Sequence, residues 1–352
     1  MQDTRLEEPT TDADAVILDE LLASLPLTDN HLHIEGAISL EHYREVVEVP
    51  DGWVPSGWAP GYRYETFTDF ENFILGYADQ WFVSPDRYHQ SAAALFAAKK
   101  IEGVRYLECS FAAIVSHLKG LSIESMVEAI QSAVPEGLEV RLFMGLHHNS
   151  LESSSAEALE DALSLEGLDG IDLHGPEGYP VSRELVGYWE KARSMGKATK
   201  AHAGELGGAW HVAEAVEKLG VRRVEHGFRA IEDQRIVDLL RENRVVLDVC
   251  PISNLKLRTV ESMATHPIKS LVEAGITCTI NTDDPFIFGN RIGDDYRVLL
   301  MEGGLALETL IGLARNGLEH ALLEDEPKRG LLATFDGTVS RILHKYGRAG
   351  DV

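Results

Sequence analysis

Residues 170–205 read GIDLHGPEGYPVSRELVGYWEKARSMGKATKAHAGE. A short apolar run at 170–174 gives way to a longer helical pattern at 182–195. A second short run follows at 198–202. Strand, helix and strand in that order make the βα unit of a parallel sheet. Each of the two runs ends in a histidine, His174 and His202.

The same alternation extends in both directions. Candidate strands lie at 27–33, 103–111, 139–147, 223–226, 245–249 and 277–281, which with the first two make eight. Helical patterns at 85–102, 122–133, 155–163, 210–219, 231–243 and 267–274 separate them. This pattern predicts an α/β fold, a closed (β/α)8 TIM-type barrel rather than an open sheet. An aromatic-rich insertion follows the first strand at about 39–84, containing Trp53, Trp58 and Trp81. It is expected to be irregular, and reads either as a lid over a bound ligand or as a satellite hydrophobic cluster. Extra C-terminal helices after about residue 305 should pack outside the barrel. The acidic opening, residues 1–15, is expected to be a flexible tail, and 16–352 a single domain.

Composition narrows the partners. Hydrophobic content of 44% and charged content of 25% suit a globular enzyme with a large core. Against 32 Lys and Arg stand 57 Asp and Glu, a net charge of −25. Such a field repels phosphate backbones and anionic bilayers, so neither nucleic acid nor membrane is an expected partner. No apolar run approaches the roughly 18 residues of a membrane span. The N-terminal stretch lacks an apolar signal region, so a cytoplasmic location is expected. Cys109, Cys250 and Cys278 are too scattered for a disulfide framework.

The ionisable residues gather at strand ends, where barrel enzymes keep their active sites. His31 and His33 are two apart on the first strand and so face the same side. Alone, such a pair is as readily a surface or core feature. His202 closes the fifth strand, and Gly204 lets the chain turn so that Glu205 stands beside it. His226 ends the sixth strand. Asp283 and Asp284 follow the eighth, and adjacent carboxylates there are costly unless paired or holding a cation; the plain alternative is a turn before Pro285. Three imidazoles and one carboxylate suit Zn2+ with an open position for water.

Taken in order, HLHIEGAI (31–38), DLHG (172–175), HAGE (202–205), VEHG (224–227), CPISN (250–254) and NTDDP (281–285) resemble the adenosine deaminase family of the amidohydrolase superfamily. The resemblance implies hydrolytic deamination of the 6-amino group of adenosine or an adenosine-like purine, with one Zn2+ per chain. It assigns the metal to His31, His33, His202 and Asp283. It makes Glu205 the acid that protonates purine N1, His226 the group assisting the attacking water, and Asp283 a further catalytic group. Substrate would be bound by His33, Glu35, Gly175 through its N–H at N3, and Asp284 accepting from N7–H.

Three departures bear on specificity. Glu35 stands where adenosine deaminases carry Asp against the ribose, and resembles adenine deaminases there. Gly175-Pro176-Glu177 replaces Gly-Asp-Glu, and residues 106–113 depart from the usual motif. Adenine, methylthioadenosine and aminodeoxyfutalosine are therefore alternative substrates. A two-metal amidohydrolase would want a Lys where His174 sits. A cytidine-deaminase-type zinc site needs a PCxxC pair that the three cysteines cannot form. A catalytically dead binding protein would not need the intact His, Glu and Asp set. Oligomeric state is not legible.

Overall fold

The computed structural model describes residues 12–148, 150–152, 156–175 and 177–348. Eight parallel strands pair in sequential order: β1 (Leu27–His33), β2 (Val104–Ala112), β3 (Glu139–His147), β4 (Gly170–His174), β5 (Ala198–Ala203), β6 (Arg223–His226), β7 (Val246–Val249) and β8 (Thr277–Ile280). The expected strands are therefore present, with ends shifted by a residue or so. Helices cover the outside, and the strands are buried almost throughout, as a parallel sheet requires.

The seam between β1 and β8 closes at the barrel's upper rim. Asp283 donates its N–H to the His31 carbonyl at 3.1 Å and accepts from the His33 N–H at 3.1 Å. Below that point side chains replace the ladder: Asn281 Oδ1 accepts the Asn30 N–H at 2.7 Å, and Asp29 Oδ1 accepts the Thr282 N–H at 3.1 Å. Helix Leu307–Glu319 lies across this seam, where Gly317 accepts from Asn30 Nδ2 at 3.1 Å. A Cβ on Gly317 would stand 2.0 Å from Thr28 Oγ1, so only glycine permits the approach. The C-terminal helices thus pack outside the barrel, as expected.

Inside, the barrel carries buried charge. Lys200 on β5 reaches Glu108 on β2 at 2.6 Å, Glu225 on β6 at 2.9 Å and the Asn30 carbonyl on β1 at 2.6 Å. Only an inward-pointing side chain can touch strands on opposite walls. Arg223 donates three bonds to Asp248 at 2.7–2.9 Å, and Thr279 donates to the same carboxylate at 2.6 Å. A charge removed from water needs such pairing.

Two expectations change. The acidic tail was to reach residue 15, but α1 (Asp12–Ser24) begins at Asp12, because Ile17, Leu18, Leu21 and Leu22 form a buried face. Residues 1–11 lie outside the described residues, as do Ser155 and Pro176. The insertion is not irregular throughout: it contains α2 (Leu40–Val46) and α3 (Phe67–Trp81), followed by α4 (Pro85–Ile101). A capping box between Thr66 and Asp69 starts α3, and a Ser84 cap ahead of Pro85 starts α4.

Candidate active site

The seam brings the predicted ligands together. Asp283 has φ +66°, a left-handed conformation uncommon for a residue with a side chain. Its two backbone bonds to β1 hold that strained turn in place, and its Oδ1 lies 3.2 Å from His31 Nε2 and 3.3 Å from His33 Nε2. His33 Nε2 is in turn 3.3 Å from His202 Nε2.

Each imidazole is fixed through its other nitrogen. His31 Nδ1 contacts Glu225, His33 Nδ1 meets Ser110 Oγ at 2.9 Å, and His202 Nδ1 donates to the Leu173 carbonyl at 3.0 Å. Ser253 Oγ donates to Asp283 Oδ2 at 2.6 Å. His31, His33 and His202 thus offer ring nitrogens within 4.8 Å of one another, and Asp283 Oδ1 faces two of them. A tetrahedral ion with bonds of about 2.0–2.1 Å separates its ligands by about 3.3 Å, which matches these spacings. The charge balance agrees. Burial alone would lower His31, yet Glu225 and Asp283 outweigh it and hold the imidazole well above its ordinary range. The cluster attracts positive charge, and the residues fit a metal ion.

Glu205 and His226 stand beside that cradle. Gly204, φ +73°, turns the chain after β5 and places Glu205; His226 itself adopts φ +59° at the end of β6. His226 Nε2 is 3.6 Å from Glu205 Oε2 and 3.9 Å from Asp283 Oδ2. Burial pushes the Glu205 carboxyl well above its usual range, and the charges of Asp283 and Glu177 add to this. Burial and then Asp283 push Asp284 up to about 8. Burial holds His226 well below its ordinary value and His174 down to about 3.

These groups form one wall of a cavity of about 250 Å³ that also meets His33, Glu35, Gly175 and His202. The lining also has an apolar set, Phe67, Phe70, Ile74 and Leu75 of α3 with Ile114 and Val115, and α3 adds Glu71. The α3 residues recur at helical spacing, so one face of that helix lines the cavity. The tryptophans do not. Trp53 stacks on Tyr43, Trp81 stacks on His42, and Trp58 Nε1 donates to the Phe286 carbonyl. His147 lines the cavity, whereas His148 stands against Tyr179. Glu35 is already engaged: its Oε1 accepts from Tyr88 OH at 2.9 Å and from the Ala112 N–H at 3.0 Å.

Sequence reasoning missed the supports. Glu177 entered it only as part of an altered motif, yet its carboxylate accepts the N–H groups of Gly204, Glu205, Leu206 and Gly207. Glu225 and Ser253 sit inside quoted motifs, VEHG and CPISN, but neither motif holds a metal ligand, so their contacts with His31 and Asp283 carried no local signal.

A sequence model of the family described as adenosine deaminase matches residues 26–338. The chain belongs to this family. As a member it is a hydrolytic deaminase acting on amino-purines. It is 32% identical over 321 residues to an adenine deaminase from Marinomonas sp., covering 88% of this chain and 95% of that protein. An adenosine deaminase from Shewanella loihica is 31% identical, covering 88% and 98%. The crystal structure of adenine deaminase from Arthrobacter aurescens superposes with a TM-score of 0.80 at 26% identity, covering 90% of this chain and 99% of that one. No described helix is long and apolar enough to cross a membrane.

Proposed function

We propose that this family member is a deaminase carrying one Zn2+ per chain, and that its substrate is the free base adenine. The observation that carries the substrate choice is Glu35. Held by Tyr88 and Ala112, it is fixed at the cavity wall rather than free to follow a ribose. Of the six α3 residues that line the cavity only Glu71 is polar, so that helix offers few partners for ribose hydroxyls. Among the described lining residues there is no Lys or Arg, so a nucleotide phosphate would meet no counter-charge. The adenine deaminases among the relatives add support. Adenosine is the second reading, favoured by His147 and Glu71, which also reach the cavity and could meet sugar hydroxyls.

His31, His33, His202 and Asp283 would hold the zinc ion. Bound there, it supplies the Lewis acidity that makes water nucleophilic near neutrality. The chain's own groups then act as follows. His226 and Asp283 orient the water against C6. Glu205, protonated by virtue of its burial, delivers its proton to N1 as the ring loses aromaticity. Burial beside Asp283 favours the neutral Asp284 carboxyl, which donates to the N7 lone pair. That reverses the direction expected from the sequence, because burial beside Asp283 disfavours a second carboxylate. The Gly175 N–H faces N3. Water adds, ammonia leaves and adenine becomes hypoxanthine.

Ultraviolet absorbance of the zinc-loaded protein with adenine, adenosine, 2′-deoxyadenosine and 5′-substituted adenosines tests this reading. Rapid conversion of adenine with slow conversion of the nucleosides is expected. Turnover of none of them, with zinc bound, would overturn it.

A further inference from the structure

Behind His226 runs a line of polar groups to which no role has been given. Asn254 Nδ2 lies 3.1 Å from His226 Nδ1, and His266 Nε2 lies 3.3 Å from Asn254 Oδ1. The line ends on a main-chain group: the Ile268 N–H points at His266 Nδ1 at 3.1 Å. All three side chains are buried, Asn254 and His226 almost completely.

That last contact removes the usual ambiguity of imidazole and amide assignments. A backbone N–H can only donate, so His266 Nδ1 must be the acceptor and carry no proton. The proton of the neutral His266 ring therefore sits on Nε2 and is donated to an oxygen, which fixes Asn254 Oδ1 on that side. Asn254 Nδ2 must then face His226 and donate to its Nδ1. The His226 proton is left on Nε2, the nitrogen that faces Glu205 and Asp283 across the place where water would stand. Burial favours the neutral ring at His266, lowered to about 4.

We propose that Asn254 and His266 are positioning residues that lock His226 as the Nε2–H tautomer, so that it donates a hydrogen bond to the attacking water and is not the base that deprotonates it. This deepens the deaminase reading above and rests on it for its kinetic consequence. The tautomer itself does not depend on the substrate. The logic is that of a buried carboxylate fixing a catalytic imidazole, where the isosteric swap of Asp for Asn leaves the geometry intact but the wrong tautomer in place, and turnover falls about 10⁴-fold.

The first test is 15N NMR of zinc-loaded, histidine-labelled protein, with the His226 signals identified by their loss in His226→Gln. A protonated Nε2 and unprotonated Nδ1 are expected; a protonated Nδ1 would overturn the proposal. The second test is kinetic. Asn254→Asp can only accept, so it should move the proton to His226 Nδ1. It should lower kcat by about 10²–10⁴-fold with zinc content, KM and Tm close to wild type. His266→Leu should fall similarly, while His266→Gln, which keeps a donor toward Asn254, should recover most of the loss. Wild-type kcat in folded Asn254→Asp, or no difference between the two His266 variants, would contradict it. If no purine is turned over by any form, the deaminase reading fails while the NMR result still decides the tautomer.

Discussion

Glu177 Oε1 accepts the backbone N–H of Glu205 at 2.8 Å, so one buried carboxylate holds the main chain that carries another. Its two oxygens together serve four consecutive N–H groups, 204–207. Glu177→Ala leaves these donors facing a void. We expect a loss of about 1–3 kcal/mol in stability, and kcat reduced about 10–100-fold as Glu205 loses its registration. Thermal melts and steady-state kinetics read the two effects separately. A variant as active as wild type would show that the loop holds itself.

Glu205→Gln keeps the shape of the side chain and removes its acidic proton. The metal cradle does not include Glu205, so metal content by atomic emission should be unchanged. Turnover should fall by at least about 10²-fold, the usual worth of a positioned acid. His31→Ala makes the opposite pattern: metal content itself falls.

Asp284 ties geometry to pH. A Cβ on Gly36 would stand 1.5 Å from Asp284 Oδ1, so Gly36→Ala must displace that carboxyl and should lower kcat/KM sharply with little change in metal content. In the proposed mechanism the active form of Asp284 is the protonated one. Activity is therefore present below its pKa of about 8 and lost as pH rises through it. A cation on Asp283 offsets the charge that raises Asp284, so the loaded enzyme should show this limb at or below pH 8. Asp284→Asn retains a donor and should lose the limb. A limb that persists unchanged in that variant would assign it to another group.

Lys200 is the hub of the barrel's buried charge. Lys200→Met strands Glu108 and Glu225, and breaking such a pair costs about 3–5 kcal/mol. Burial raises both carboxyls, but Arg223 and Lys200 outweigh it at Glu108, and His31 and Lys200 at Glu225, so both are held below their usual range. Depressed folded values contribute stability above the unfolded pKa of about 4.3, and lose it as pH falls through the folded values. The Tm gap between wild type and Lys200→Met should thus be widest near neutrality and close in acid. A constant gap across pH would mean packing, not charge, sets the loss.

The barrel was legible because its strands are short, buried and regularly spaced between amphipathic helices. The candidate ligands stood out because each lies near the end of a strand or just beyond it. What the sequence hid depends on contacts between distant segments. Lys200 and Glu225 read as ordinary strand residues until the barrel closes around them. Glu177 acts on a loop 27 to 30 positions away. The α3 helix was obscured by the aromatic and glycine content of its surroundings, although Thr66 and Asp69 offered a capping signal. The protonation favoured at Asp284 could not be read without knowing how deeply Asp283 and Asp284 are buried together.

The most direct test of the account is a competition: adenine and adenosine at equal concentration with zinc-loaded protein, hypoxanthine and inosine being separated and quantified over time. The ratio of initial rates gives the ratio of kcat/KM values. A cavity in which Tyr88 and Ala112 fix Glu35 and α3 adds a mostly apolar lining predicts hypoxanthine in excess by about 100-fold or more, the discrimination worth roughly 2.7 kcal/mol. Inosine formed as fast as hypoxanthine, or faster, would contradict it.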